Sequence, residues 1–135
     1  MRFLLLISAN LAVVGDSQTG GTDPSDIRPF EVRVERRGKT AILRLLGEFD
    51  IAGAGQLDAC IKESSRNSPD EVVIDLSGVT FLDSRGLRSL IRTRELGPEA
   101  GWSLKLVRGP EQVQKIFELT GLDAVFEFAN ASDLD

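Results

Sequence analysis

Val72-Val73-Ile74-Asp75-Leu76-Ser77-Gly78-Val79-Thr80-Phe81-Leu82-Asp83-Ser84-Arg85-Gly86-Leu87 is the stretch that decides the fold. Its opening is a continuous, β-branched apolar run, the pattern of a strand covered on both faces. The segment 78–83 reads as a connection into a helix over 84–96, where Leu87, Leu90 and Ile91 form a buried stripe. Gly97-Pro98 is the predicted stop of that helix. A buried strand followed by an amphipathic helix is the repeating unit of a parallel sheet.

Upstream, Phe30, Val32 and Val34 alternate with Glu31, Arg33 and Glu35, the period of a half-buried strand. Arg37-Gly38-Lys39 is a tight turn, and 41–46 reads as a second strand that closes a hairpin. Asp50 is placed to cap a helix running to about residue 63, with Leu57, Cys60 and Ile61 on its apolar face. Cys60 reads there as a small core residue. Downstream, 102–107 is a fourth strand. Pro110 opens a third helix with Val113, Ile116 and Phe117 inward, and Gly121 ends it. Val125, Phe126 and Phe128 suggest a last short strand. The order β-β-α-β-α-β-α-β predicts an α/β fold: a mixed sheet with an N-terminal hairpin and three helices packed against it, its later strands parallel through right-handed crossovers.

Residues 1–29 read as an N-terminal extension and linker, 30–130 as the domain, and 131–135 as an acidic tail. One basic residue before the apolar run 3–7 has the outline of a small signal peptide, but Val13-Val14-Gly15 lacks a small-x-small cleavage pattern. The run is too short to span a bilayer as a helix, so no stable membrane insertion is expected. Gly20-Gly21 and Asp23-Pro24 mark 16–29 as linker.

The chain has 135 residues, a size that fits one domain. Sixteen Lys and Arg against twenty-one Asp and Glu give a net charge of −5, which argues against direct binding to nucleic acid. There is no histidine, so every Ser-His or Cys-His nucleophile and every His-ligated metal site is excluded. A single cysteine excludes an intrachain disulfide. No Gly-rich phosphate loop is present. The chain has few tools for catalysis, and neither cofactor nor metal is expected.

Asp83-Ser84 falls at the start of the second helix, next to the edge of the sheet. The first N–H groups of a helix lack partners and carry positive partial charge. Ser84 is therefore placed to be phosphorylated or to contact an anion, while the plainer reading is that Asp83 or Ser84 only caps the helix. Arg85, Arg88 and Arg92 share one helix face. They read as a docking surface for an acidic partner, as a clamp on a modified Ser84, or as a solvated face. Phe81 precedes the serine and either packs the loop down or offers an apolar patch to a partner.

The run 75–87 resembles the signature of STAS domains, a family named for sulfate transporters and anti-sigma factor antagonists, and is most similar to the bacterial antagonists. Gly47-Glu48-Phe49-Asp50 is similar to the family's Gly-Glu-Leu-Asp segment, and Phe117-Glu118-Leu119-Thr120-Gly121-Leu122 to its late Phe-x-x-x-Gly-Leu segment. The resemblance covers about 30–130. It implies that Ser84 is phosphorylated by an anti-sigma factor that is itself a serine kinase, and that a phosphatase resets it. The surface expected for that partner gathers Asp50, Phe81, Asp83, Ser84, Arg85, Arg88 and Arg92. The protein is then a cytoplasmic kinase substrate, not an enzyme, and regulates sigma-factor-dependent transcription. Arg85 departs from the family, whose antagonists often carry Ser or Thr there. Two other roles fit a STAS domain: an adaptor subunit of a membrane lipid-transport ABC complex, and a ligand-binding sensor.

Overall fold

The computed structural model of the protein describes residues 2–7 and 30–134. One mixed sheet holds six strands in the order β1 (Arg2–Ile7), β2 (Glu31–Arg37), β3 (Thr40–Phe49), β4 (Glu71–Leu82), β5 (Ser103–Val107) and β6 (Phe128–Ala129). The pairs β1–β2 and β2–β3 are antiparallel, and β3 to β6 run parallel. The crossovers are α1 (Ile51–Ser65), α2 (Ser84–Ala100) and α3 (Glu111–Thr120). The β2–β3 turn passes through Gly38 at φ +59°, a conformation that only glycine adopts freely.

The main core lies between the sheet and the helices. Val32, Leu43, Leu45, Ile74, Leu76 and Leu106 project from alternating strand positions against Leu57, Cys60, Leu90, Val113 and Phe117. Each such side chain contributes about 1.5–3 kcal/mol through burial. Phe117 meets Phe126 and Phe128 edge to face, with centroids 5.7 and 5.2 Å away. Trp102 is buried and donates from Nε1 to Ser65 Oγ at 3.1 Å.

Four features depart from the sequence expectations. First, 78–82 is not a loop: β4 continues to Leu82 because β3 also runs on, to Phe49, and pairs with it. Second, Gly97-Pro98 does not stop α2, which reaches Ala100 and ends on Gly101 at φ +89°. Gly97 packs so closely on Trp102 that a Cβ there would lie 2.6 Å from the Trp102 carbonyl oxygen. The glycine serves that contact, and Pro98 forfeits one hydrogen bond of the last turns. Third, Arg2–Ile7 of the expected extension form an edge strand on β2, whereas the linker predicted over 16–29 lies outside the described residues. Fourth, the acidic tail folds back as a short 3-10 turn, Ala131–Leu134. Leu134 packs on Ile42, Val73 and Val107, and its carbonyl accepts a hydrogen bond from Arg37. The helices cover only one face of the sheet, and this small cluster gives Val73 its cover on the other.

Cys60 lies in the core as expected, fully buried. Burial, with Glu63 nearby, pushes its thiol up to about 11. An exposed thiol titrates near 8.5. Iodoacetamide at pH 8 should therefore leave the native protein unlabelled and modify it in denaturant. Fast native labelling, read by intact mass, would show that this packing opens readily.

Candidate functional site

Strands β3 and β4 end side by side, and each passes through one aspartate straight into a helix. In Asp50-Ile51-Ala52-Gly53, Asp50 Oδ1 accepts from the N–H of Ala52 at 3.1 Å and of Gly53 at 3.4 Å. In Asp83-Ser84-Arg85-Gly86, Asp83 Oδ1 accepts from the N–H of Arg85 at 3.0 Å and of Gly86 at 2.9 Å. Both aspartates have extended backbone, as an N-cap requires. The twin caps satisfy N–H groups that a helix start leaves without partners.

The two starts are tied together. The Asp83 N–H donates to the Phe49 carbonyl at 3.4 Å. A Cβ on Gly86 would sit 2.5 Å from that same oxygen, so the first turn of α2 approaches β3 only because residue 86 is glycine. Phe49 itself is buried and stacks on Phe30, with centroids 4.9 Å apart. The end of β3 is thus a fixed platform for α2.

β4 reaches this platform by a bent path. It uses 12 residues where β3 uses 10, with irregularities between Arg44 and Leu46 and between Gly47 and Glu48 of the β3 register. Each places one extra residue in β4, the mark of a β-bulge. Asp75 braces the first: its Oδ1 accepts from the Ser77 N–H at 2.9 Å, and its Oδ2 meets Arg44 at 3.1 Å. Arg44 also meets Glu35 at 3.0 Å, and Glu35 meets Arg37 at 2.9 Å. Both carboxylates are buried on the helix-free face.

The sequence candidates divide clearly. Ser84 is exposed at the first position of α2, directly after its cap. Phe81, 49% exposed, points outward and does not pack the segment down. Asp50 and Asp83 are brought together by strand pairing, both as helix caps. Arg85 and Arg88 are exposed and have no ion-pair partner among the described residues. Arg92 lies farther along α2 and binds Asp58 of α1 at 3.3 Å. Sequence reasoning missed Ile51, 57% exposed beside Asp50, which adds a second apolar side chain to this edge. The signal was the repeated Asp-x-x-Gly of 50–53 and 83–86, which marks two equivalent helix starts. The edge presents apolar surface, a free hydroxyl and two unpaired guanidinium groups, a composition suited to protein docking. A cavity of about 310 Å³, lined in part by Thr40, Val73, Lys105 and Leu134, lies on the helix-free face where the parallel strands begin, away from this edge.

Known proteins are similar to this chain in sequence and fold. The family profile described as "Mlab, STAS domain" matches residues 32–127. The chain is 36% identical over 97 residues to the anti-sigma-F factor antagonist RsfB of Mycobacterium tuberculosis, covering 70% of this chain and 77% of the relative. The crystal structure of an anti-sigma factor antagonist from Mycobacterium paratuberculosis matches with a TM-score of 0.69 and 32% identity, over 83% of this chain and 92% of that one. The anti-sigma factor antagonist SpoIIAA in its unphosphorylated form matches with a TM-score of 0.61 and 26% identity, over 76% of this chain and 91% of that one.

Two glycine substitutions test the platform. A Cβ at Gly55 of α1 meets nothing within 4 Å, so Gly55→Ala should stabilise by about 0.5–1 kcal/mol through helix propensity. Gly86→Ala gains the same propensity but drives a methyl into the Phe49 carbonyl, and overpacking of this kind costs about 1–3 kcal/mol. Denaturant melts should move in opposite directions. A Gly86→Ala melt as stable as that of Gly55→Ala would mean that the two helix starts are not tightly coupled.

Proposed function

The chain belongs to the STAS domain family, and we propose that it acts there as an anti-sigma factor antagonist: it binds an anti-sigma factor serine kinase and is switched off by phosphorylation of Ser84. The observation that carries this reading is the exposed Ser84 hydroxyl, set at the start of α2 between a rigid cap and two outward apolar side chains. Relatives that bear the name antagonist support it.

In this reading the partner covers Phe81 and Ile51, and the burial of their apolar surface drives docking. The kinase transfers the γ-phosphoryl group of ATP to Ser84. The Oγ–phosphorus bond forms, the bond between the β,γ-bridging oxygen and the γ-phosphorus breaks, ADP leaves, and the hydroxyl proton passes to the kinase's base. The product carries an added charge of about −1.5 to −2 beside surface that must shed water to bind. Desolvating that added charge at the interface is costly, so the complex separates. A phosphatase restores the hydroxyl. The protein is a substrate and effector in the cytoplasm, without a catalytic site or cofactor of its own. Among the described residues no helix is long and apolar enough to cross a membrane.

Ser84→Ala removes the acceptor and leaves the Asp83 cap in place, so stability should change by less than about 0.5 kcal/mol. The variant should bind the anti-sigma factor as tightly as the parent and stay bound when ATP is added. Ser84→Asp should weaken binding by about tenfold or more, equivalent to about 1.4 kcal/mol. Phosphosite mapping after incubation with the kinase and ATP should place the phosphate on Ser84. Phosphate on Ser77 or Thr80 alone would move the switch. Absence of phosphate, with binding to a lipid-transport ATPase unaffected by either substitution, would replace this reading with the adaptor role.

A further inference from the structure

An anion added to Ser84 finds most of the donors that a helix start usually offers already taken. Asp83 Oδ1 already accepts from the N–H groups of Arg85 and Gly86, at 3.0 and 2.9 Å. The Leu87 N–H donates to the Asp83 carbonyl at 3.0 Å. Of this first turn, only the Ser84 N–H is left to a phosphate on Ser84, and any further donor comes from a side chain or from displacing the carboxylate.

Three arginines follow on α2, and geometry separates them. Arg92 is engaged with Asp58 of α1 at 3.3 Å. Arg85 is the next residue and projects about 100° around the helix from Ser84. Arg88 lies four residues on, over the same face, with Cβ atoms separated by about 5–6 Å in such pairs. Helical side chains lean toward the N-terminus, which carries the Arg88 guanidinium back toward Ser84. Arg88 is exposed and has no hydrogen bond or ion pair among the described residues.

We propose that Arg88 clamps the phosphate on Ser84, so that the modified protein neutralises its own docking edge. The inference rests on the reading of Ser84 as the phosphorylation site. An anion four residues N-terminal to a cation is the favoured orientation of a helical pair, and it agrees with the helix dipole. The planar guanidinium offers two parallel N–H donors to phosphate oxygens. Phosphorylation then removes the unpaired positive charge of Arg88 from the edge as well as adding a bulky anion to it. An acidic partner loses an attraction and meets an obstacle in one step.

The test installs phosphoserine at position 84 during translation, with no kinase, and follows its ³¹P resonance through a pH titration. With Arg88 present, the second phosphate pKa should lie at least about half a unit below that of the Arg88→Gln phosphoprotein, since a nearby cation favours the dianion. Arg88→Lys should fall between the two, and Arg85→Gln should match the parent. The gap should narrow in 1 M salt. Equal pKa values in the parent and Arg88→Gln, or a larger rise from Arg85→Gln, would overturn the clamp. Thermal melts of the unmodified variants should match the parent, confirming that α2 is intact in each. A kinase that leaves Ser84 bare would defeat the switch reading, while the titration would still decide the clamp.

Discussion

The Phe49 carbonyl oxygen lies where a side chain at position 86 would have to go, and the site depends on that position being empty. Gly86 lets the first turn of α2 close onto the end of β3, and the Asp83 N–H then reaches the same oxygen. Two aspartate-capped helix starts are held side by side in consequence. The burial of Phe49 and its stacking on Phe30 keep the oxygen in place. Ile51, Phe81 and Ser84 are left exposed on a support fixed by these buried contacts. A preorganised surface loses little conformational entropy on binding, which favours affinity from a small patch.

The supporting sheet achieves this alignment with charged groups on its far face. Arg44 lies between the buried carboxylates of Glu35 and Asp75, and Asp75 also accepts the N–H of Ser77 at the first bulge. Two buried carboxylates cost desolvation, and ion pairs of this kind add little net stability. Their value here lies in registry. A slip of one residue between β3 and β4 would separate Arg44 from Asp75 and turn the core face of β4 outward. The bulges aim 78–82 so that Asp83 arrives at Phe49, and the charged ladder holds β4 in the register from which they start.

Local patterns were readable from sequence, and pairing at a distance was not. Alternation in 30–34, the apolar run 72–74 and the stripe Leu87, Leu90 and Ile91 lie in single elements, so their periods announce strands and helices without knowledge of neighbours. The Asp50 and Asp83 caps were legible for the same reason. Ser77, Gly78 and Thr80 have the composition of a loop, and they become strand only because the continuation of β3 supplies the pairing. Gly97-Pro98 has the composition of a helix stop, but α2 continues because Gly97 is required by Trp102, a contact set by β5. Leu134 looked like part of a free tail, since the cluster that receives it comes from β3, β4 and β5. At the candidate site, the exposure of Ser84 at a helix start agrees with its position in the motif. Ile51 was missed because its exposure depends on how the two helix starts meet.

The most direct measurement of the central claim is a map of backbone amide shifts, recorded while the cognate anti-sigma factor is titrated into isotope-labelled protein. Perturbations should cluster at 50–52 and 81–88, leave Thr40, Val73 and Lys105 on the far face unmoved, and vanish when Ser84 carries phosphate. Perturbations centred on the far face, or unchanged by the phosphate, would contradict the assignment of the twin helix starts as the switched docking edge.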